Sequence, residues 1–176
     1  MVILHGMSKA FTRESDDAPD LPVVRYAAVL PPGAKNLITP DGALRLGAEL
    51  ERLTNEERPR LAAAANEDGD AKRQLQMLDH RLGHLQQTLH TATVVGPPPE
   101  TDGTVRFGAT VLVRERSGGQ TSYRIVGVDE TDLDQNWVSW LSPIAKALLN
   151  ARVGQRVRFK FPAGEEELEI LSVTYN

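Results

Sequence analysis

Three carboxylates crowd one short stretch of this chain, Asn66-Glu67-Asp68-Gly69-Asp70. Glu67, Asp68 and Asp70 carry the chemistry of a hard-cation site, because Mg²⁺ takes one or two protein carboxylates and keeps most of its waters. A metal held this way can activate water for phosphodiester hydrolysis. The three acids are therefore the candidate catalytic residues, with Asp68 and Asp70 the candidate metal ligands. The same residue types also make a solvated turn whose Asp caps the following helix, and that reading needs no metal. Lys72 and Arg73 follow directly, with His80 and Arg81 further on. Such a face can meet RNA phosphates or simply water. His80 and His84 are four apart, but no cysteine and no suitably placed Glu completes a zinc set. No Ser-His-Asp set, phosphate-binding glycine loop or nucleotide fingerprint occurs.

The elements that carry these residues are legible from period and punctuation. Thr39-Pro40-Asp41 reads as a helix start, with a capping Thr, Pro at the first position and an acid at the dipole's positive end. Leu46, Leu50, Leu53 and Leu61 form a stripe that Pro59 interrupts, predicting a kink or a gap in the hydrogen-bond ladder. Asn66 to Gly69 is the expected reversal, with Asn and Gly supplying unusual dihedrals. Leu75, Leu78, Leu82, Leu85 and Leu89 then repeat at three and four. That is a coiled-coil seam. The pattern predicts an antiparallel helical hairpin over 39–95, each arm about 35 Å long at 1.5 Å per residue.

Beyond the linker at 96–104, with Gly96-Pro97-Pro98-Pro99, the period changes to alternation. Strands are expected at 105–113, 123–128, 157–161 and 168–175, with turns at Gly118-Gly119 and Pro162-Ala163-Gly164. One helix is expected at 143–151, capped by Ser142. The fold class is thus α+β: a helical hairpin, then a small antiparallel β domain with one short helix at 105–176. Of Trp137 and Trp140, one is expected in the core and the other, with Leu141, on the surface. Residues 1–38 read as a flexible tail in which Val23, Val24, Tyr26 and Val29 offer an extended packing segment.

Composition limits the partners. The 176 residues carry 20 Lys and Arg against 24 Asp and Glu, and no segment is basic enough to hold duplex DNA by charge. The absence of cysteine excludes disulfides and thiolate zinc sites. No stretch approaches a membrane span, and polar residues begin at Ser8-Lys9 without an apolar signal core. A cytoplasmic protein with a protein or protein–RNA partner is expected, and Met7 offers a second candidate start.

Several runs together resemble the GreA/GreB family of bacterial transcript cleavage and elongation factors. They are 107–111 (Phe-Gly-Ala-Thr-Val), 123–130 (Tyr-Arg-Ile-Val-Gly-Val-Asp-Glu), 142–149 (Ser-Pro-Ile-Ala-Lys-Ala-Leu-Leu), Pro162 to Glu165, and Val173-Thr174-Tyr175. Ile38-Thr39-Pro40 with Gly42, Glu57-Arg58-Pro59 and Leu75 to Leu85 extend the likeness over 37–175. The resemblance implies an FKBP-like C-terminal domain that docks on RNA polymerase at its secondary channel. It also implies a coiled coil entering that channel, and tip acids that help place a Mg²⁺ shared with the polymerase active site. The factor then has no tightly bound cofactor, is not itself an enzyme, works as a monomer, and approaches the nascent RNA 3′ end. Carried onto this chain, the docking residues are Asp129, Glu130, Trp140, Leu141, Ser142 and Pro143, and the RNA contacts Lys72 and Arg73.

The tip departs from the family pattern. A cleaving tip resembles Gly-Asp-x-x-Glu-Asn-Ala followed by Tyr, whereas here Gly69-Asp70 runs into Ala71-Lys72-Arg73. The hairpin reads as shorter by roughly a dozen residues, a loss of about 9 Å of reach. Leu141 also stands where a polar or acidic residue is common. Three alternatives remain at this level: a channel-occluding regulator without cleavage, a prolyl isomerase by fold analogy alone, and a dimerising interaction module.

Overall fold

The computed structural model describes residues 30–161 and 164–175. Most of the expected tail, including Val23, Val24, Tyr26 and Val29, lies outside the described residues. Its C-terminal end is corrected: Leu37–Ile38 form a strand, β1, paired in parallel with β2, Thr93–Val94. Ile38 is 2% exposed, so Leu37 and Ile38, just before Thr39, belong to the packed body.

The helical part begins where Thr39 caps α1, Pro40–Arg52, its Oγ1 accepting from the Gly42 N–H at 3.0 Å. A wide π turn, Leu53–Glu57, separates α1 from α2, Arg58–Ala64. Pro59 is the cause. Its nitrogen cannot donate and its ring opposes the carbonyl four residues back. The ladder instead widens, with the Arg58 N–H reaching the Leu53 carbonyl. The wide turn absorbs an extra residue, so Leu61, eight positions after Leu53, still returns to the seam.

The second limb is α3, Gly69–Thr91. Leu46, Leu53 and Leu61 from the first limb share a core with Leu78, Leu82 and Leu85 from α3, with Leu50, Leu75 and Leu89 at its margin. Arg81–Glu49 at 2.9 Å and Arg58–Asp79 at 2.8 Å bridge the limbs at the surface. Exposed pairs of this kind contribute up to about 1 kcal/mol. Each buried Leu contributes about 2 kcal/mol, so the seam holds the limbs together. The reversal differs from expectation, since neither Asn66 nor Gly69 takes a positive φ. Ala65 stays right-handed helical and Asp68 is extended, at φ −123° and ψ 116°. Gly69 is already the first residue of α3.

The sheet has the order β5-β4-β3-β7-β6. Its strands are β3 Ala109–Glu115, β4 Gln120–Val126, β5 Trp137–Ser139, β6 Arg156–Phe161 and β7 Gly164–Tyr175. Three of its four pairings are antiparallel. The all-antiparallel expectation fails at β5, which runs parallel to β4 with Arg124 opposite Trp137. The 3₁₀ turn Val128–Glu130 and the loop after it carry the chain back to the level of Arg124, so β5 departs in the same direction as β4.

Alternation buries Val111, Val113, Ile125, Leu168 and Ile170 on one face. Helix α4, Pro143–Leu148, covers that face with Ala145 and Leu148. It stops three residues earlier than expected, because Leu149 is extended and Asn150 is left-handed at φ 67°. Tyr175 ties the linker to the last strand. Its Oη accepts from the Arg106 N–H at 3.0 Å and donates to the Thr104 carbonyl at 2.8 Å.

Candidate functional site

The acidic turn sits at the far end of the two limbs, and Glu67, Asp68 and Asp70 are all exposed. Asp68 caps α3, its Oδ1 accepting from the Asp70 N–H at 2.8 Å. Asp70 forms an ion pair with Arg73 one turn on. Lys72 and Arg73 point to solvent. Among the described residues no three His, Asp or Glu side chains converge as a metal site. One carboxylate is a cap, a second is neutralised by a guanidinium, and Glu67 stands apart from both bonds. The turn thus brings no third ligand to Asp68 and Asp70 among the described residues.

The corner after β5 presents a different surface. Ser142 caps α4, its Oγ accepting from the Ala145 N–H at 3.2 Å, and Pro143 at the first helical position is exposed. The Trp140 N–H reaches the Val126 carbonyl at 2.9 Å, and the Leu141 N–H reaches Ser139 Oγ at 3.2 Å. Trp140 packs against the sheet core, with its Nε1 buried and without a hydrogen-bond acceptor among the described residues. Leu141 and Ser142 are half-buried. Residues 140–143 thus form a hydrogen-bonded, partly apolar corner.

Trp137 is held differently. The Arg45 and Arg124 guanidiniums lie 4.6 Å and 4.9 Å from its ring centroid, a cation–π arrangement that joins α1 to β4 and β5. Arg124 is in turn 3.6 Å from Asp41.

Sequence reading groups Asp129 and Glu130 with the docking residues, and the fold engages both at the joint between helices and sheet; burial makes this a correction for Glu130. Glu130 is 4% exposed. Its Oε2 accepts from the backbone N–H of Thr39 and of Gly127, each at 2.9 Å, and its Oε1 accepts from the Thr39 hydroxyl. Asp129 takes His84 Nε2 at 2.7 Å and the Thr88 hydroxyl at 2.9 Å, both from α3. A buried carboxylate with three donors cannot be offered to a partner. Sequence reasoning missed Thr39, Gly42, His84, Thr88 and Gly127 as members of this joint. The one local signal is an Asp-Glu pair inside the apolar run that ends β4.

Perturbed carboxylates lie elsewhere. The Arg106 hydrogen bond holds Asp102 far below the usual carboxylate range, and the Arg158 hydrogen bond holds Glu167 below it. Asp102, exposed in the linker, and Glu167, half-buried on β7, are in surface ion pairs and mark no catalytic group. Surface clefts near them are lined by Arg116, Arg158, Glu165, Glu166 and Glu167, and by Pro98, Pro99, Glu100, Asp102 and Arg106. Neither has the aromatic wall that a prolyl isomerase uses.

Known proteins share much of this sequence. The family model for the C-terminal part of the transcription elongation factors GreA/GreB matches residues 100–175. Transcription elongation factor GreB of Neisseria meningitidis is 42% identical over 154 residues, covering 80% of this chain and 94% of the relative. Since 80% of 176 residues is about 141, about 13 positions of that alignment have no counterpart here. Transcription elongation factor GreA of Alkalilimnicola ehrlichii is 40% identical, covering 79% of this chain and 97% of the relative. Among solved structures, the GreA/GreB factor of Nitrosomonas europaea is 24% identical, covering 81% of this chain and 99% of that one, with a TM-score of 0.40. With its helical part and its curled sheet, the chain belongs to the GreA/GreB family of transcription elongation factors.

Proposed function

We propose that this chain docks on RNA polymerase through the corner at Trp140, Leu141, Ser142 and Pro143, and tunes elongation by occupying the secondary channel. On this reading residues 105–176 are an FKBP-like docking domain. Residues 39–95 are an antiparallel coiled-coil hairpin that enters the channel, and the factor acts as a cytoplasmic monomer. Lys72 and Arg73 lie on the face nearest the nascent RNA 3′ end. The factor is an accessory to the polymerase, which performs the chemistry.

The observation that carries the non-cleaving form of this reading is the tip. Helix α3 begins at Gly69, Asp68 serves as its cap, and Asp70 is paired with Arg73. About 13 positions present in a relative are missing here. We place that loss at the turn. Divided between two limbs, it shortens the reach by about 9 to 10 Å. A metal–oxygen bond of about 2.1 Å tolerates no such shortfall.

Docking is tested with Ser142→Glu and Pro143→Ala in a polymerase-binding titration, with circular dichroism to establish that the fold survives. Weakened binding with a retained fold is the expected result. Unchanged affinity in both variants would remove the corner from the interface.

A further inference from the structure

The helical limbs reach the sheet through one small buried joint, and its geometry is tight. Glu130 lies across the N-terminus of α1, where the free N–H groups and the helix dipole favour a carboxylate. From Gly42 a relay runs through its N–H to Thr39 Oγ1, and from the Thr39 hydroxyl to Glu130 Oε1. The other carboxylate oxygen holds the Thr39 and Gly127 N–H groups together. These bonds span 91 positions of sequence and link the first turn of α1 to the end of β4. Two glycines make the approach possible. A Cβ at Gly42 would overlap the Glu130 carboxylate, and one at Gly127 would overlap the Leu37 carbonyl. Asp129, gripping His84 and Thr88, fixes the second limb to the same turn.

We propose that Glu130 is a positioning residue that sets the direction of the helical limbs against the sheet, so that the docking corner and the acidic tip move as one rigid lever. Its consequence for transcription rests on the docking reading above, whereas the geometric statement does not. The lever makes the joint matter. With limbs about 35 Å long, a tilt of about 10° at the base moves the tip about 6 Å. A tip displaced that far no longer follows the channel axis that the docked sheet defines.

The chain has no cysteine, so two can be introduced for spin labels without background. Gln74→Cys near the tip and Thr174→Cys on β7 are both exposed and away from the joint. Double electron–electron resonance on the free protein then reads the tip-to-sheet distance. The doubly labelled parent should give one narrow distribution. Adding Gly42→Ala or Glu130→Ala should broaden it or shift it by about 4 to 5 Å at Gln74, with helix content retained. Glu130→Gln should restore the narrow distribution, because its amide can accept from both N–H groups and donate to Thr39 Oγ1. If Glu130→Ala does not fold, Thr39→Val carries the test, since it removes only the hydroxyl relay and should broaden the distances less. Distributions that superimpose across all variants would overturn the proposal, as would a Glu130→Gln distribution as broad as that of Glu130→Ala. No polymerase is present, so neither outcome bears on docking. Loss of polymerase binding in Ser142→Glu at unchanged spin distances reports on docking alone.

Discussion

The same residue types work in opposite ways at the two ends of the helical limbs. At the tip, Glu67, Asp68 and Asp70 are exposed, and their bonds reach no further than Arg73. At the base, Glu130 and Asp129 are largely withdrawn from water and bind groups from α1, α3 and the end of β4. A solvated carboxylate is free to change partners and contributes little to the fold. A buried one cannot be lost without stranding its donors. The contrast teaches that the acids which look chemical in the sequence are local, while those that shape the molecule look like ordinary surface.

Substitutions can break or sharpen this contrast, and the largest effect belongs to the base. Glu130→Ala leaves two buried N–H groups and a hydroxyl without their acceptor, and should cost about 3 kcal/mol in urea unfolding. Two glycines of α1 give the next test. Gly47 has open space around it, so Gly47→Ala should stabilise by about 1 kcal/mol through helix propensity. Gly42→Ala has the same propensity gain but collides with Glu130. It should destabilise by about 1 to 2 kcal/mol net. Equal effects at the two glycines would mean the joint is loose.

At the tip, Asp68→Ala removes a helix cap and should cost about 1 kcal/mol. Glu67→Ala should stay within about 0.5 kcal/mol. A third carboxylate, on the sheet, offers a pH check. Glu167 is held below its ordinary value of 4.5 by the Arg158 hydrogen bond. Its contribution is therefore present above that value and is lost as pH falls through the lower folded one. The difference in thermal midpoint between wild type and Glu167→Gln should be small at neutral pH and vanish in acid.

How much could be read in advance follows the same division. Local rules placed Thr39 and Ser142 as caps, the leucine seam, the Gly118 turn and the alternating strands, because each depends on residues within a few positions. Pro59 announced a defect, and the π turn is the form it takes. Strand β5 escapes the sequence because three residues are too few to display a period, and its partner is set by the loop before it. Glu130 was misplaced because its meaning lies 91 positions away, at Thr39. Asn66 and Gly69 suggest unusual dihedrals at the reversal, but an extended Asp68 makes it instead, while the Asp cap expected there is present. The cap that an Asp makes at such a turn is legible in the sequence and is present at Asp68, whereas the Asp70–Arg73 pair is not anticipated.

The measurement that bears most directly on the central claim is RNA cleavage in a backtracked elongation complex, with cognate polymerase and Mg²⁺, at concentrations where binding of this protein is shown in parallel. Bound protein with cleavage at the intrinsic rate or below it is the predicted result: a factor that has kept the anchor without the reach. Accelerated cleavage that disappears in Asp70→Ala would contradict the account and return the shortened turn to catalysis.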